Sequence, residues 1–142
     1  MKKTFALIAL AIAALTVSIP ATAQTIELNK KTFLEKVVNY EKNPNAWNYL
    51  GSKPAIIDFY ATWCPPCKKL SPVLEELSKE YKDKIVIYKV DVDKERELSS
   101  VMGIRSMPTL IFIPMSENPQ VLNGAYPKEE IKKMIEKVLL KK

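Results

Sequence analysis

Cys64 and Cys67 are the only cysteines in the 142-residue chain, and Pro65 and Pro66 alone separate them. The thiolate is the reactive form of cysteine. A thiol that has attacked a disulfide can be displaced by a second thiol close behind it, which releases the attacked partner. That is the minimum equipment for thiol–disulfide exchange. As a staple the pair is badly placed, because a disulfide across so short a loop constrains the unfolded chain little. Metal binding is the competing chemistry. A tetrahedral zinc site needs four ligands, and two cysteines with no histidine barely supply them. Cu(I) is the better match, with Met102, Met107 and Met115 as soft thioether ligands beside the two thiolates. The adopted reading needs no metal and no cofactor beyond a Cys64–Cys67 disulfide, and the Cu(I) module stays as an alternative.

Two elements position the cysteines. Ala55–Tyr60 is an apolar, β-branched run with the length of a buried strand. From Lys68 to Tyr81, Leu70, Val73, Leu74 and Leu77 recur at helical spacing. The cysteines thus fall where a strand hands over to the first turn of a helix. Unpaired N–H groups and the helix dipole favour an anion there, such as a Cys64 thiolate. Cys64 is expected at the exposed edge of the helix and Cys67, one turn in, more buried; Lys68 and Lys69 add positive potential. Asp58 sits inside the apolar strand, where desolvation raises a carboxyl toward useful acid–base range.

The remaining segments complete an α/β pattern. Thr25–Leu28 reads as a short strand, and Asn29 as the N-cap of a helix burying Phe33, Leu34, Val37 and Val38. Turn signals at Asn43–Asn45 and Gly51–Pro54 bracket a connection carrying Trp47, Tyr49 and Leu50, in which Trp47 and Tyr49 read as a satellite apolar cluster, with a partner-docking site as the alternative. Ile85–Val92 is a second central strand, followed by a short helix capped by Asp93 and ending near Met102-Gly103. Thr109–Ile113 and Val121–Gly124 are strands, the latter at an edge. Pro127 opens a last helix that buries Ile131, Met134, Ile135, Val138 and Leu139. This order implies a mixed sheet covered by helices on both faces.

Residues 1–23 read as a secretory signal peptide, with an uncleaved membrane anchor as the alternative for a run short of the roughly 20 apolar residues a spanning helix needs. Lys2 and Lys3 precede the apolar run Phe5–Ile19, then Pro20 and the small-residue site Ala21-Thr22-Ala23. Cleavage after Ala23 leaves a single domain, residues 24–142, exported to an oxidising compartment, the periplasm. Removing Lys2 and Lys3 lowers the formal charge from +6 to +4. Both signs are interspersed with no basic stripe carrying aromatics, so no nucleic-acid partner is expected.

Several separated features resemble the thioredoxin family along nearly the whole mature length. Phe59-Tyr60-Ala61-Thr62-Trp63-Cys64 through Cys67 is similar to its active-site stretch. Asp58 falls at its buried aspartate and Lys89 at the lysine that accompanies it. Pro72 falls at the proline inside the active-site helix, Gly103–Thr109 at the cis-proline loop, and Gly124 at the glycine ahead of the last helix. The resemblance implies a thioredoxin fold and a thiol–disulfide oxidoreductase in which Cys64 attacks and Cys67 resolves. It further implies that Asp58 takes the Cys67 proton and that Lys89 tunes Asp58. Trp63, Pro65, Pro66, Met107 and a cis Pro108 would meet substrate, with the Met107 backbone pairing to an extended peptide. Implied partners are exported proteins bearing disulfides and an external, membrane-embedded electron donor; the protein itself would be a monomer. Pro65 departs from the glycine usual in cytosolic members. Cys-Pro-Pro-Cys also occurs in exported reductants of cytochrome c maturation, which usually carry an extra segment after the active-site helix that this chain lacks. Strongly oxidising members have a histidine in the motif, also lacking here, so a reductant or general exchanger is favoured over a disulfide-forming oxidant.

Overall fold

The computed structural model describes residues 24–142; the predicted export signal lies outside them. In chain order the elements are β1 (Ile26–Glu27), α1 (Lys30–Lys36), β2 (Ala55–Tyr60), α2 (Pro65–Glu80), β3 (Val86–Asp91), α3 (Arg96–Val101), β4 (Thr109–Ile113), β5 (Gln120–Asn123) and α4 (Lys128–Met134). The last helix continues as a wider π-helical turn, Ile135–Leu139. The sheet order is β1-β3-β2-β4-β5. β3 pairs parallel with β1 and β2, whereas β4 is antiparallel to β2 and to β5. The expected mixed sheet between helical layers is the observed architecture.

Side-chain alternation along β2 divides the core in two. Ile56 points into one cluster with Ile87, Leu110 and Phe112, sealed by Leu70, Leu74 and Leu77 of α2 and by Ile131 and Ile135 of the last helix. Ile57 and Phe59 point the other way, onto Phe33 and Val37 of the α1 region and Leu98 of α3. β2 is buried on both faces, which is why its sequence is apolar at consecutive positions, Asp58 apart, and does not alternate. Trp47 and Tyr49 pack onto this second cluster, so the connection after α1 extends the main core instead of forming a separate satellite. Leu34 is only half-buried, and Leu50 is exposed, held by its N–H to the Val37 carbonyl.

α1 starts where Asn29 dictates. Its side chain accepts from the Thr32 N–H at 2.9 Å, and the Thr32 hydroxyl accepts from the Asn29 N–H at 3.0 Å, a reciprocal capping box. Asn29→Ala is expected to cost about 1 kcal/mol, measurable as a lower urea midpoint with an unchanged slope.

Asp93 does not cap α3. The cap position is Glu95, which makes no side-chain cap bond, and Asp91 orders the turn before it by accepting from the N–H groups of Asp93 and Lys94. A buried carboxylate at the strand end reaches those donors first. At the other end Gly103 takes φ +70°, and the N–H groups of Gly103 and Ile104 close onto the Ser100 and Ser99 carbonyls. Among the described residues no helix is long and apolar enough to cross a membrane.

Candidate active site

The site lies at the C-terminal end of β2. After Tyr60 the chain turns through Ala61–Trp63, and Cys64 is the N-cap of α2 with extended backbone (φ −86°, ψ 110°). Pro65 and Pro66 are the first two helical residues. Proline suits those positions, since its fixed φ is helical and the N–H it lacks would be unpaired anyway. Cys64 and Cys67 are joined in a disulfide with their Cα atoms 5.3 Å apart.

The two prolines change the electrostatics expected of a helix N-terminus. Of the first three helical positions only Cys67 has an N–H, and it points at Cys64 Sγ from 3.3 Å. The next N–H, of Lys68, is taken by the Cys64 carbonyl at 3.1 Å. A thiolate at Cys64 is therefore served by one backbone donor plus the dipole of a 16-residue helix, not by a ring of donors. The expected contrast in exposure is also corrected: Cys64 is 4 % and Cys67 3 % exposed, both sealed with Ala61 in one small cluster. What separates them is position, Cys64 capping the helix and Cys67 lying inside it.

Around the disulfide lie the other residues expected at the site. The peptide bond between Met107 and Pro108 is cis, and the Met107 carbonyl oxygen is 3.7 Å from Cys64 Sγ. Gly124 braces this loop by donating its N–H to the Pro108 carbonyl at 2.8 Å, with φ +106°, a conformation that side chains disfavour. Trp63 is 62 % exposed, and its indole N–H donates to the Asp93 carboxylate at 2.8 Å. Pro65 and Pro66 are exposed and Met107 is half-buried. Together these form an apolar rim beside a closed disulfide.

Asp58 lies in the middle of β2 and faces α2, the helix that carries Cys67, because it shares the alternation of Ile56. It is fully buried and neither carboxyl oxygen has a hydrogen-bond partner. Burial pushes its carboxyl up to about 7, opposed by Lys89 and aided by Glu27. Lys89 is its register partner on β3. The lysine does not bond the carboxyl; its ammonium donates to Ser71 Oγ at 3.1 Å and stands 4.4 Å over the Tyr60 ring.

The methionines suggested for a soft-metal site do not converge. Met107 packs on the cysteines, Met102 packs on the α1-side core, and Met115 is exposed past the far end of β4. Among the described residues no group of three or more His, Cys, Asp or Glu side chains is placed to hold a metal.

Four participants were not singled out from sequence: Glu27, Ser71, Tyr60 as a partner of Lys89, and Asp93 as the acceptor for Trp63. Glu27 and Ser71 reach the site only through strand register and helix docking, which no local pattern encodes. The lack of donors at Pro65 and Pro66, by contrast, is legible from residue type alone.

Comparison with known proteins agrees with this geometry. The thioredoxin family model matches residues 24–137. A thioredoxin of Borreliella burgdorferi is 47 % identical over 110 residues, covering 78 % of this chain and 93 % of that protein. A chloroplastic M-type thioredoxin of Pisum sativum is 38 % identical over 100 residues, covering 68 % of this chain and 58 % of its own length. Among solved structures, a point mutant of a thioredoxin from Halobacterium salinarum superposes with TM-score 0.64 at 28 % identity, covering 82 % of this chain and 91 % of that one. With its cis-proline loop set against a Cys64–Cys67 disulfide at the start of α2, the chain belongs to the thioredoxin family and is a thiol–disulfide oxidoreductase.

Proposed function

We propose that this protein is an exported thioredoxin that reduces disulfides of other exported proteins. Cys64 is the nucleophile, Cys67 the resolving thiol and Asp58 the acceptor of the Cys67 proton. The Cys64 thiolate attacks one sulfur of a substrate disulfide, forming a mixed disulfide and expelling the other sulfur as a thiolate. Cys67 passes its proton to Asp58 and attacks Cys64 Sγ, which closes the Cys64–Cys67 disulfide and frees the second substrate sulfur. Two electrons have then moved from protein to substrate. With no third cysteine in the chain, an external dithiol must restore the pair, and a membrane-embedded donor suits an exported protein.

The observation that carries the reducing direction is the single N–H directed at Cys64 Sγ. A dithiol is a strong oxidant in its disulfide form when the reduced state is stabilised. Prolines at both intervening positions withhold the donors that would provide such stabilisation, so the reduced pair gives up its electrons more readily. Substrate docks on the apolar rim: Trp63, held by Asp93, is a flat platform beside Pro65 and Pro66. The Met107 backbone next to the cis Pro108 adds an extended peptide strand across Cys64. The family match beginning at Gln24, directly after the predicted cut, supports the reading of residues 1–23 as a removable export signal.

Equilibration with glutathione tests the direction. A potential around −270 mV is expected. A value nearer −120 mV would make the protein a disulfide former and overturn the reductant reading.

A further inference from the structure

Glu27, Lys89 and Asp58 form one row across three strands: Glu27 is the register partner of Lys89, and Lys89 that of Asp58. In parallel neighbours, register partners point to the same face, so all three side chains face α2. The row continues through Leu110 and Leu122, which are apolar. A buried carboxyl beside a lysine in register is the arrangement from which an ion pair is expected. None forms, and the surrounding contacts say why. The Lys89 ammonium is committed twice, to Ser71 Oγ from α2 and to the face of the Tyr60 ring. That ring is held in turn, because the Tyr60 hydroxyl donates to the Glu27 carboxylate, crossing beneath Lys89 from β2 to β1. Other charged groups on this face are already engaged: Glu75 of α2 accepts from the Thr25 hydroxyl, and Asp91 accepts from the turn after β3. The last helix adds apolar side chains to this core, among them Ile131, Ile135, Val138 and Leu139.

We propose that Glu27 and the aromatic ring of Tyr60, together with Ser71, position the Lys89 ammonium away from an ion pair with Asp58, leaving Asp58 free to take and return the Cys67 proton. The inference rests on the reading of Asp58 as proton acceptor. It assigns a role to a carboxylate on the short first strand, far along the chain from the cysteines. An Asp58–Lys89 ion pair would hold the carboxyl ionised and make it a poor carrier of a proton near neutrality. The Glu27 charge works in the same sense in two ways, attracting the ammonium toward β1 and opposing ionisation of Asp58.

The test is a carboxyl-carbon NMR titration of Asp58 in the oxidised protein, read beside the pH profile of substrate release from the mixed disulfide. Glu27→Gln keeps an acceptor for Tyr60 but removes the charge, and the Asp58 midpoint is expected to fall by about half a pH unit. Tyr60→Phe keeps the ring under the ammonium but frees the Glu27 carboxylate to pair with Lys89, its neighbour in the row. Its midpoint is expected at or above that of the parent protein. The two variants alter the same hydrogen-bonded contact, yet the midpoint falls in one and does not fall in the other, which loss of packing alone would not produce. A Glu27→Gln midpoint that falls by less than about 0.2 unit, or a Tyr60→Phe midpoint that falls alongside it, overturns the proposal. Asp58→Asn separates this from failure of the underlying reading. If that variant leaves the release profile unchanged, Asp58 is not the proton acceptor, while the NMR midpoints still report whether the Glu27 charge, and not the Tyr60 hydroxyl, governs the titration of Asp58.

Discussion

Cys64→Ser is expected to abolish disulfide reduction, lowering the rate by roughly 10^3-fold or more, because no covalent route remains once the attacking sulfur is gone. Serine is nearly the same size and can still accept the Cys67 N–H at the helix start, so the fold should be intact. Cys67→Ser should behave differently. Cys64 can still attack, but nothing follows to release it, so the protein accumulates as a mixed disulfide with its substrates. Non-reducing electrophoresis of the two variants, recovered from cells after rapid alkylation, gives the comparison. Covalent complexes on Cys67→Ser and none on Cys64→Ser support the division of labour. The reverse pattern would assign the attack to Cys67. Exposure does not choose between the sulfurs, since both are buried to a similar degree in the disulfide. The choice rests on Cys64 capping α2 beside the Met107 carbonyl, where a bound peptide would lie.

The second large effect is on stability. Asp58 ionises near pH 3.8 in an unfolded chain, and burial raises it to about 7 in the folded protein. The folded state therefore holds a proton that the unfolded state has lost between those two values, and stability falls as pH rises from about 4 to 7. Below the lower value both states are protonated and Asp58 is neutral in its effect. Above the upper one the folded protein must contain a buried, unpartnered carboxylate. The roughly three-unit difference corresponds to about 4 kcal/mol. Asp58→Asn, which cannot ionise, should thus be more stable than the parent by up to about that amount at pH 8, with the gain vanishing near pH 4. Urea unfolding of both proteins across this range measures it. A gain that did not change with pH would mean that the carboxyl finds a partner and titrates normally. The same substitution should slow substrate release, since Cys67 loses its proton acceptor. A stabilised but slower enzyme is the signature of a group retained for chemistry.

Much of this protein is written locally. The apolar run Ala55–Tyr60, the helical spacing of Leu70, Leu74 and Leu77, and the capping residue Asn29 each describe an interaction between near neighbours, so β2, α2 and α1 are legible from sequence. The cysteine pair is legible for the same reason: its chemistry depends on spacing along the chain. Even the scarcity of donors at Cys64 follows from two prolines read at their positions.

Asp93 shows where local reading stops. An aspartate just after a strand looks like a helix cap, yet Asp91 holds the turn and Asp93 bonds Trp63, thirty residues away in sequence. The candidate methionine ligands look equivalent in sequence and are dispersed by the fold to three separate places. The exposure difference expected of the cysteines is also lost, because cluster packing and not helical position decides burial.

By itself the sequence determined the α/β pattern, the redox pair and the buried strand that carries Asp58. Those are consequences of residue type and of periodicities shorter than one element. Only the tertiary structure decided what surrounds Asp58. Register set Glu27, Lys89 and Asp58 in one row, and the docking of α2 brought Ser71 to the lysine. Strand register and helix docking are settled by the burial of whole faces against each other, and the charge environment of a buried carboxyl is set by that assembly.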